Sequence, residues 1–336
     1  MTKWPCRVIS RAECDGFTAS HLTKRGHAVR AKLLPSVPEI SRQPRWHRWA
    51  RRWALGGWRG YRTFWQAAEL LQRWPAGDLV RVWPDLVIAC DREEYVAAGA
   101  YRGWYERAEV AVLTRLTPPG GLVVDVGANT GYHTSVLAGL VGPAGRVVAF
   151  EPAPATYARL RRLIEGAPLV NVVAHQCAVG AEAGAATLQN VDRLDNSGLV
   201  TLRGGGSTGG PGVEVVALAD VAEIASASSI DVLKVDVEGF EGSVLQGAAP
   251  LLRAGRVRHA LVEMTPDPET RQLLESLFAD ISDAYRFFTI GEEGRLRRRP
   301  VLGGLDAGAV LTLDRQANVL MSRADAIADL GALAPA

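Results

Sequence analysis

A chain of 336 residues, 48% of them hydrophobic, is long enough for one large domain or for a domain with an added arm. Its four cysteines (Cys6, Cys14, Cys90 and Cys177) include no C-x-x-C pair, which argues against a disulfide scaffold and a cysteine zinc site. No uncharged apolar run reaches the ~18 residues of a membrane span, and the N-terminus lacks the apolar core of a secretory signal, so the expected compartment is the reducing cytoplasm. The net charge of +2 hides an asymmetry: residues 1–65 carry 14 Lys/Arg against 3 Asp/Glu, and the remainder 24 against 33.

Residues 1–43 are polar, irregular and proline-punctuated (Pro5, Pro35, Pro38) and are expected to form a poorly ordered basic segment. Residues 44–105 read as a Trp/Arg-rich helical arm or lid. Residues 45–83 hold seven of the nine tryptophans, and Trp46, Trp49 and Trp53 recur at helical spacing among Arg45, Arg48, Arg51 and Arg52. Three readings fit: an arm laid on the main domain over its mouth, a helix contacting a membrane surface, or a nucleic-acid contact. The first is favoured. A second helix is expected over Tyr61–Trp74, and Leu79–Trp83 with Leu86–Ala89 read as a strand pair turning at Pro84-Asp85.

From residue 106 onward strands and helices alternate, the pattern of an α/β, doubly wound parallel sheet filling 106–336. A helix over Glu106–Leu116 leads in. Strands follow at 122–126, 146–150, 170–175, 230–237 and 258–262, with helices near 131–141, 154–165 and 268–279. Ala185–Gln189 and Glu214–Ala217 read as extra extended pieces around a glycine-rich spacer, Arg203–Gly212. Tyr285–Ile290 and Val310–Asp314 are expected to close the sheet as an antiparallel pair, with a short helix in the Ala/Leu-rich tail from Asp325.

The strand at 122–126 runs into Asp125-Val-Gly-Ala-Asn-Thr-Gly131, a strand, tight glycine turn and helix start. Gly127 and Gly131 let the backbone bend sharply, and the helix offers unpaired N–H groups. The G-x-G-x-x-G register of a dinucleotide site is missing. Instead Asp125 stands at the strand end, where an acid repels pyrophosphate and suits a cationic, amine-bearing ligand. The next strand ends in Glu151, placed to take both hydroxyls of a ribose. Together with Asn129 in the turn, this set fits S-adenosylmethionine better than a nicotinamide dinucleotide. The strand at 230–237 carries Lys234, Asp236 and Glu238 on one face, costly in a buried strand unless paired or functional. Asp236 is expected beside the same ligand.

Three landmarks then stand in order: Val124-Asp-Val-Gly-Ala-Asn-Thr-Gly131, Phe150-Glu-Pro-Ala-Pro154 and Leu233-Lys-Val-Asp-Val-Glu-Gly-Phe-Glu241. Together they resemble the FkbM family of S-adenosylmethionine-dependent methyltransferases, over roughly residues 120–265. The third is the most specific of them. The resemblance implies a seven-stranded class I methyltransferase sheet with its last strands antiparallel, and O-methylation of a hydroxyl on a small molecule such as a secondary metabolite or sugar. The chain departs from the family at His133, where Tyr or Phe is common, and at Ala217-Leu-Ala-Asp220 in place of Thr-Leu-Asp-Asp.

Methyl transfer from an activated sulfonium is an in-line displacement, so positioning supplies much of the acceleration, and an alcohol acceptor gains from a general base. Asp236, Glu238 and His133 are the candidate catalytic groups; Asp125, Gly127, Asn129, Gly131, Glu151 and Asp236 are the candidate cofactor contacts. His175 and His259 fall within strands and read as structural. A divalent ion between Asp236 and Glu263 is conceivable as an oxygen-ligand site, but two carboxylates are a thin basis, and no metal is expected. A nucleic-acid methyltransferase steered by the basic arm is an alternative. Against it, Asp236-Val-Glu-Gly239 stands where base amino-methyltransferases carry Asn/Asp-Pro-Pro-aromatic. A non-catalytic domain that binds the cofactor as a scaffold is another alternative.

Overall fold

Each strand of the central sheet sends alternate side chains to opposite faces, and in this chain both sets are apolar. That pattern requires helices on both sides. The computed structural model describes residues 105–167, 169–189, 201–204, 211–293 and 299–333, with four short strands before them: β1 (Val8–Ile9), β2 (Ile40–Arg42), β3 (Leu79–Arg81) and β4 (Val87–Ala89). The expected Trp-rich helices and the expected disorder over 1–43 concern residues outside this set. β3 and β4 pair antiparallel, as the strand pair was expected to, and β2 joins β3 in parallel. Val87 of β4 is buried with the main core.

The main domain then runs α1 (Arg107–Leu116), β5 (Leu122–Val126), α2 (Tyr132–Val141), β6 (Arg146–Phe150), α3 (Pro154–Gly166), β7 (Val172–His175), β8 (Ala178–Gly180), β9 (Gly184–Gln189), β10 (Thr201–Gly204) and β11 (Gly212–Ala217). It continues with α4 (Ala222–Ala225), β12 (Ile230–Val235), α5 (Glu241–Gly247), α6 (Ala249–Arg253), β13 (Val257–Met264), α7 (Pro268–Ile281), β14 (Tyr285–Glu293), β15 (Arg299–Leu305), α8 (Ala307–Leu311), β16 (Ala317–Arg323) and a 3-10 stretch, Ala324–Leu333.

The central sheet has the order β1-β7-β6-β5-β12-β13-β16-β14-β15. β7, β6, β5, β12 and β13 are mutually parallel. β16 is antiparallel to both β13 and β14. Six of the expected strands, β7, β6, β5, β12, β13 and β14, are thus present; β16 takes the seventh place between β13 and β14, and β1 and β15 extend the sheet at its two edges. β8 to β11 form a separate four-stranded sheet that takes up the extra extended pieces.

Val123, Val147, Ala149, Val232 and Leu261 pack on one face with Val112 of α1, Leu137 of α2 and Leu160 of α3. Val124, Val148, Phe150, Leu233 and Val262 pack on the other with Leu245 of α5, Leu252 of α6 and Phe278 of α7. Truncating one such side chain, Phe150 for example, costs about 3–5 kcal/mol. Strand order reverses between β5 and β12, which places the ligand crevice of an open α/β sheet at their carboxyl ends.

Two expectations are corrected. Val310–Asp314 is not a strand: Asp306 accepts the Ala309 N–H at 2.7 Å and starts α8 there. The antiparallel partner of β14 is instead β16 on one side and β15 on the other. The strand expected over 230–237 stops at Val235, because the chain turns at Glu238 (φ 45°) and Gly239 (φ 85°). Glu238 therefore lies in a turn and not on the strand face shared by Lys234.

Candidate active site

The glycine turn is shaped first by the chain's own close approaches. Gly127 has φ 80°, and a Cβ there would lie 1.8 Å from the Asp236 carbonyl oxygen. Gly131 has φ 93°, and its Cβ would meet Leu163 and Leu160 of α3 at 2.6 and 2.8 Å. The turn is fastened to β6 because Gly127 and Ala128 both donate to the Phe150 carbonyl, at 3.0 and 2.9 Å. Asn129 (φ 50°) donates its backbone N–H to Glu151 Oε2 at 3.0 Å, and Ala153 donates to Oε1 at 2.8 Å. Glu151 is buried, and burial pushes its carboxyl up to about 7 against the pull of those two amides. Each of its oxygens keeps a lone pair for a further donor.

Asp125 does not sit at the mouth as its strand-end position suggested. It is fully buried, with Oδ2 accepting the Thr134 hydroxyl at 2.7 Å and Oδ1 4.0 Å from Lys234 Nζ. Cross-strand register sets this up, since Lys234 of β12 stands directly beside Asp125 of β5. Burial raises the Asp125 pKa, with Lys234 and Thr134 opposing.

Lys234 donates to Asp236 Oδ2 at 2.9 Å. Burial works against its ammonium, but Asp236, Asp125 and Glu106 outweigh burial and raise its pKa. For Asp236 burial works upward, yet Lys234 wins and holds the carboxyl at about 2. Glu263, at the end of β13, behaves oppositely: burial and the neighbouring Asp236 charge push it up to about 9. Acid oxygens of Asp236, Glu238 and Glu263 lie within 4.8 Å of one another, close enough in kind and spacing to share a hard cation. Without one, Lys234 offsets the charge of Asp236 and a proton that of Glu263. Glu238 is half-buried, with its pKa raised by burial and by Asp236. The turn that presents it is pinned by Glu241, whose Oε1 accepts Gly239 N–H at 2.8 Å and the Thr265 hydroxyl at 3.2 Å.

His133, at the start of α2, is 5% exposed. Burial and then Lys234 hold its pKa well below the usual histidine value, with Asp236 pulling the other way. Its Nε2 stands 3.2 Å from Glu106 Oε2, an ion-pair distance, but out of line for a hydrogen bond. A neutral imidazole fits the burial and the nearby ammonium better than an ion pair does. The rings of Tyr132 and Tyr105 surround it at 5.0 and 6.3 Å. His175 and His259 lie elsewhere, against Phe150 and between Ser322 and Asp329.

Sequence reasoning did not single out Glu106 or Glu241 for the site and gave Glu263 only a metal role. A non-glycine residue with positive φ is uncommon. Among the described residues Glu106, Asn129 and Glu238 have it, and all three border this cluster. Nothing in the sequence around Glu106 marks it.

Residues 125–289 match the family model of the Methyltransferase FkbM domain. This segment is an FkbM methyltransferase domain. Over 39% of its length the chain is 32% identical to Methyltransferase 1 of Beauveria bassiana (strain ARSEF 2860), covering 59% of that relative. Over 38% it is 35% identical to the 31-O-demethyl-FK506 methyltransferase FkbM of Streptomyces tacrolimicus, covering 60%. The chain thus spans about three-fifths of these relatives. A solved structure titled Methyltransferase FkbM, from Methylobacillus flagellatus KT, aligns with 70% of this chain and 56% of its own at 17% identity and a TM-score of 0.35. The FkbM domain contains the glycine turn, Glu151, Lys234, Asp236, Glu238 and Glu263; Glu106 precedes it. Among the described residues, no helix is long and apolar enough to cross a membrane.

Proposed function

We propose that the chain is an S-adenosylmethionine-dependent O-methyltransferase acting on a hydroxyl of a small molecule, a secondary metabolite or a sugar. The observation that carries this reading is Glu151, held by the amides of Asn129 and Ala153 at the end of β6, one strand from the switch point of an FkbM domain, with acceptor capacity left on both oxygens. Such a carboxylate suits a ribose diol. The glycine turn of Gly127, Asn129 and Gly131 would line the cofactor. Asp125, with Oδ1 lacking a hydrogen-bond partner, and Asp236 supply negative potential for a sulfonium and an ammonium group. Oxygen as the accepting atom rests on likeness to the FkbM family.

The bound cofactor supplies an activated methyl group. The chain's own part is to orient the acceptor, exclude water and take a proton from the attacking hydroxyl. Asp236 is held ionised by Lys234 and suits orientation of the hydroxyl better than proton uptake. Glu238 and His133 remain the candidate bases. Incubating the full chain with S-adenosylmethionine and a panel of hydroxyl acceptors, and reading S-adenosylhomocysteine release, tests the proposal. An O-methylated product supports it; transfer only to nitrogen, or to nucleic acid with steep salt dependence, overturns it.

A further inference from the structure

The cluster contains a pair that the FkbM domain does not account for. Glu106 occupies the position before α1, where a short polar side chain would ordinarily cap the helix. Its side chain makes no cap, and its backbone is left-handed at φ 37° and ψ 53°. Local stability would favour glycine, asparagine or aspartate there. The carboxyl group, pushed up to about 7 by burial and hydrogen-bonded to Tyr105, also faces the 5% exposed imidazole of His133, with Oε2 3.2 Å from Nε2, which has no hydrogen-bond partner of its own. A strained backbone and an orphaned buried nitrogen meeting at one point are the marks of a functional contact.

We propose that Glu106 is a positioning residue for His133. Its carboxylate fixes the Nε2–H tautomer, leaves Nδ1 as the basic nitrogen, and offsets the charge on the imidazole when it accepts the acceptor's proton. This rests on the methyltransferase reading above. In the step, the acceptor oxygen forms the new O–CH3 bond and the C–S bond breaks with its electron pair going to sulfur. The hydroxyl proton passes to His133 and later to water. The distance of 3.2 Å without alignment is what a resting carboxylate–imidazole pair shows before it tightens around substrate. The arrangement follows the logic by which a buried carboxylate orients a histidine base. Tyr105, Glu109, Lys234, Asp236 and Glu263 also act on these two groups, so the pair belongs to the whole cluster.

The test uses full-length protein with 15N-labelled histidine, in wild type, Glu106→Gly and Glu106→Asn. Glycine and asparagine both tolerate the left-handed backbone, so the fold is not the variable. His133 is identified among the six histidines by loss of its signals in His133→Asn. Long-range 1H–15N spectra should show one Nε2–H tautomer in wild type and a mixture in both Glu106 variants, with melting temperatures equal to or above wild type. Calorimetric affinity for S-adenosylmethionine should stay within about threefold. An unchanged His133 tautomer, or a large drop in melting temperature in both variants, would make Glu106 structural and overturn the proposal. Failure of wild type to bind S-adenosylmethionine would sink the methyltransferase reading and this role with it, whatever the tautomer.

Discussion

Lys234→Met is the most informative single perturbation of the cluster, because it removes the charge on which a buried and a half-buried carboxylate depend. Nζ lies 2.9 Å from Asp236 Oδ2 and 4.0 Å from Asp125 Oδ1. At an effective dielectric of about 20 those separations correspond to roughly 6 and 4 kcal/mol of gross attraction. Burying the ammonium opposes this by several kcal/mol, so the pair itself contributes little net. The loss comes from what remains: Asp125, fully buried, and Asp236 without a counter-ion. Removing one partner of a buried pair costs about 3–5 kcal/mol, a large share of the roughly 5–15 kcal/mol of a typical domain. Both carboxyls would then have folded pKa values above their unfolded ones. Their contribution to stability is present below about pH 4 and lost as pH rises through the folded values, so the deficit grows with pH. Urea denaturation of both proteins at pH 5.5 and 8 measures it. A deficit below about 1 kcal/mol at pH 8, or one that shrinks as pH rises, would refute the account of Lys234 as the hub.

Gly127→Ala puts a methyl group 1.8 Å from the Asp236 carbonyl at a positive φ and should cost about 3 kcal/mol or more. Gly142→Ala, with open space around the added methyl but a glycine-type backbone at φ 65° and ψ −174°, should cost only the backbone strain of about 1–3 kcal/mol; a loss at Gly127 no larger than this in urea titrations would contradict the close-approach argument. For Glu263, raised to about 9, the stabilising effect of its proton is present below about pH 4.3 and lost as pH rises through the folded value. Glu263→Gln cannot lose it, so its denaturation midpoint should gain on wild type between pH 5 and 9, and parallel profiles would count against the Asp236–Glu263 contact. Lys234 and the Glu263 proton already offset two of the three acidic charges, so chelator-stripped enzyme should keep full turnover, measured as S-adenosylhomocysteine release. A loss restored by Mg2+ would instead assign a cation to Asp236, Glu238 and Glu263.

The strands that carry the chemistry were legible because their sequence signals are local. Leu122–Val126 and Arg146–Phe150 are short apolar runs ended by a glycine turn and an acid, and the helix at Pro268 carries its Asp267 cap in the sequence. Val310–Asp314 misled because its apolar alternation imitates a strand, while Asp306 four residues earlier starts a helix. β16 was missed because it is a central strand buried on both faces, so it shows no period-two alternation: Val319 to Ser322 are all inside. In the site, the acids at strand ends were visible, but their environments were not. Asp125 stands at a strand end that suits a cationic ligand, yet it is fully buried beside Lys234 of the neighbouring strand. Glu106 had no signal, since a left-handed glutamate is imposed by its surroundings and not by its neighbours in sequence.

The most direct test of the central claim is calorimetric titration of S-adenosylmethionine into the full chain and into Glu151→Ala. The account predicts one site of micromolar affinity in wild type, tightening from pH 6 to pH 8 as Glu151 ionises near 7, and at least a tenfold loss in the variant. Absence of binding to wild type, or equal affinity in Glu151→Ala, would contradict it.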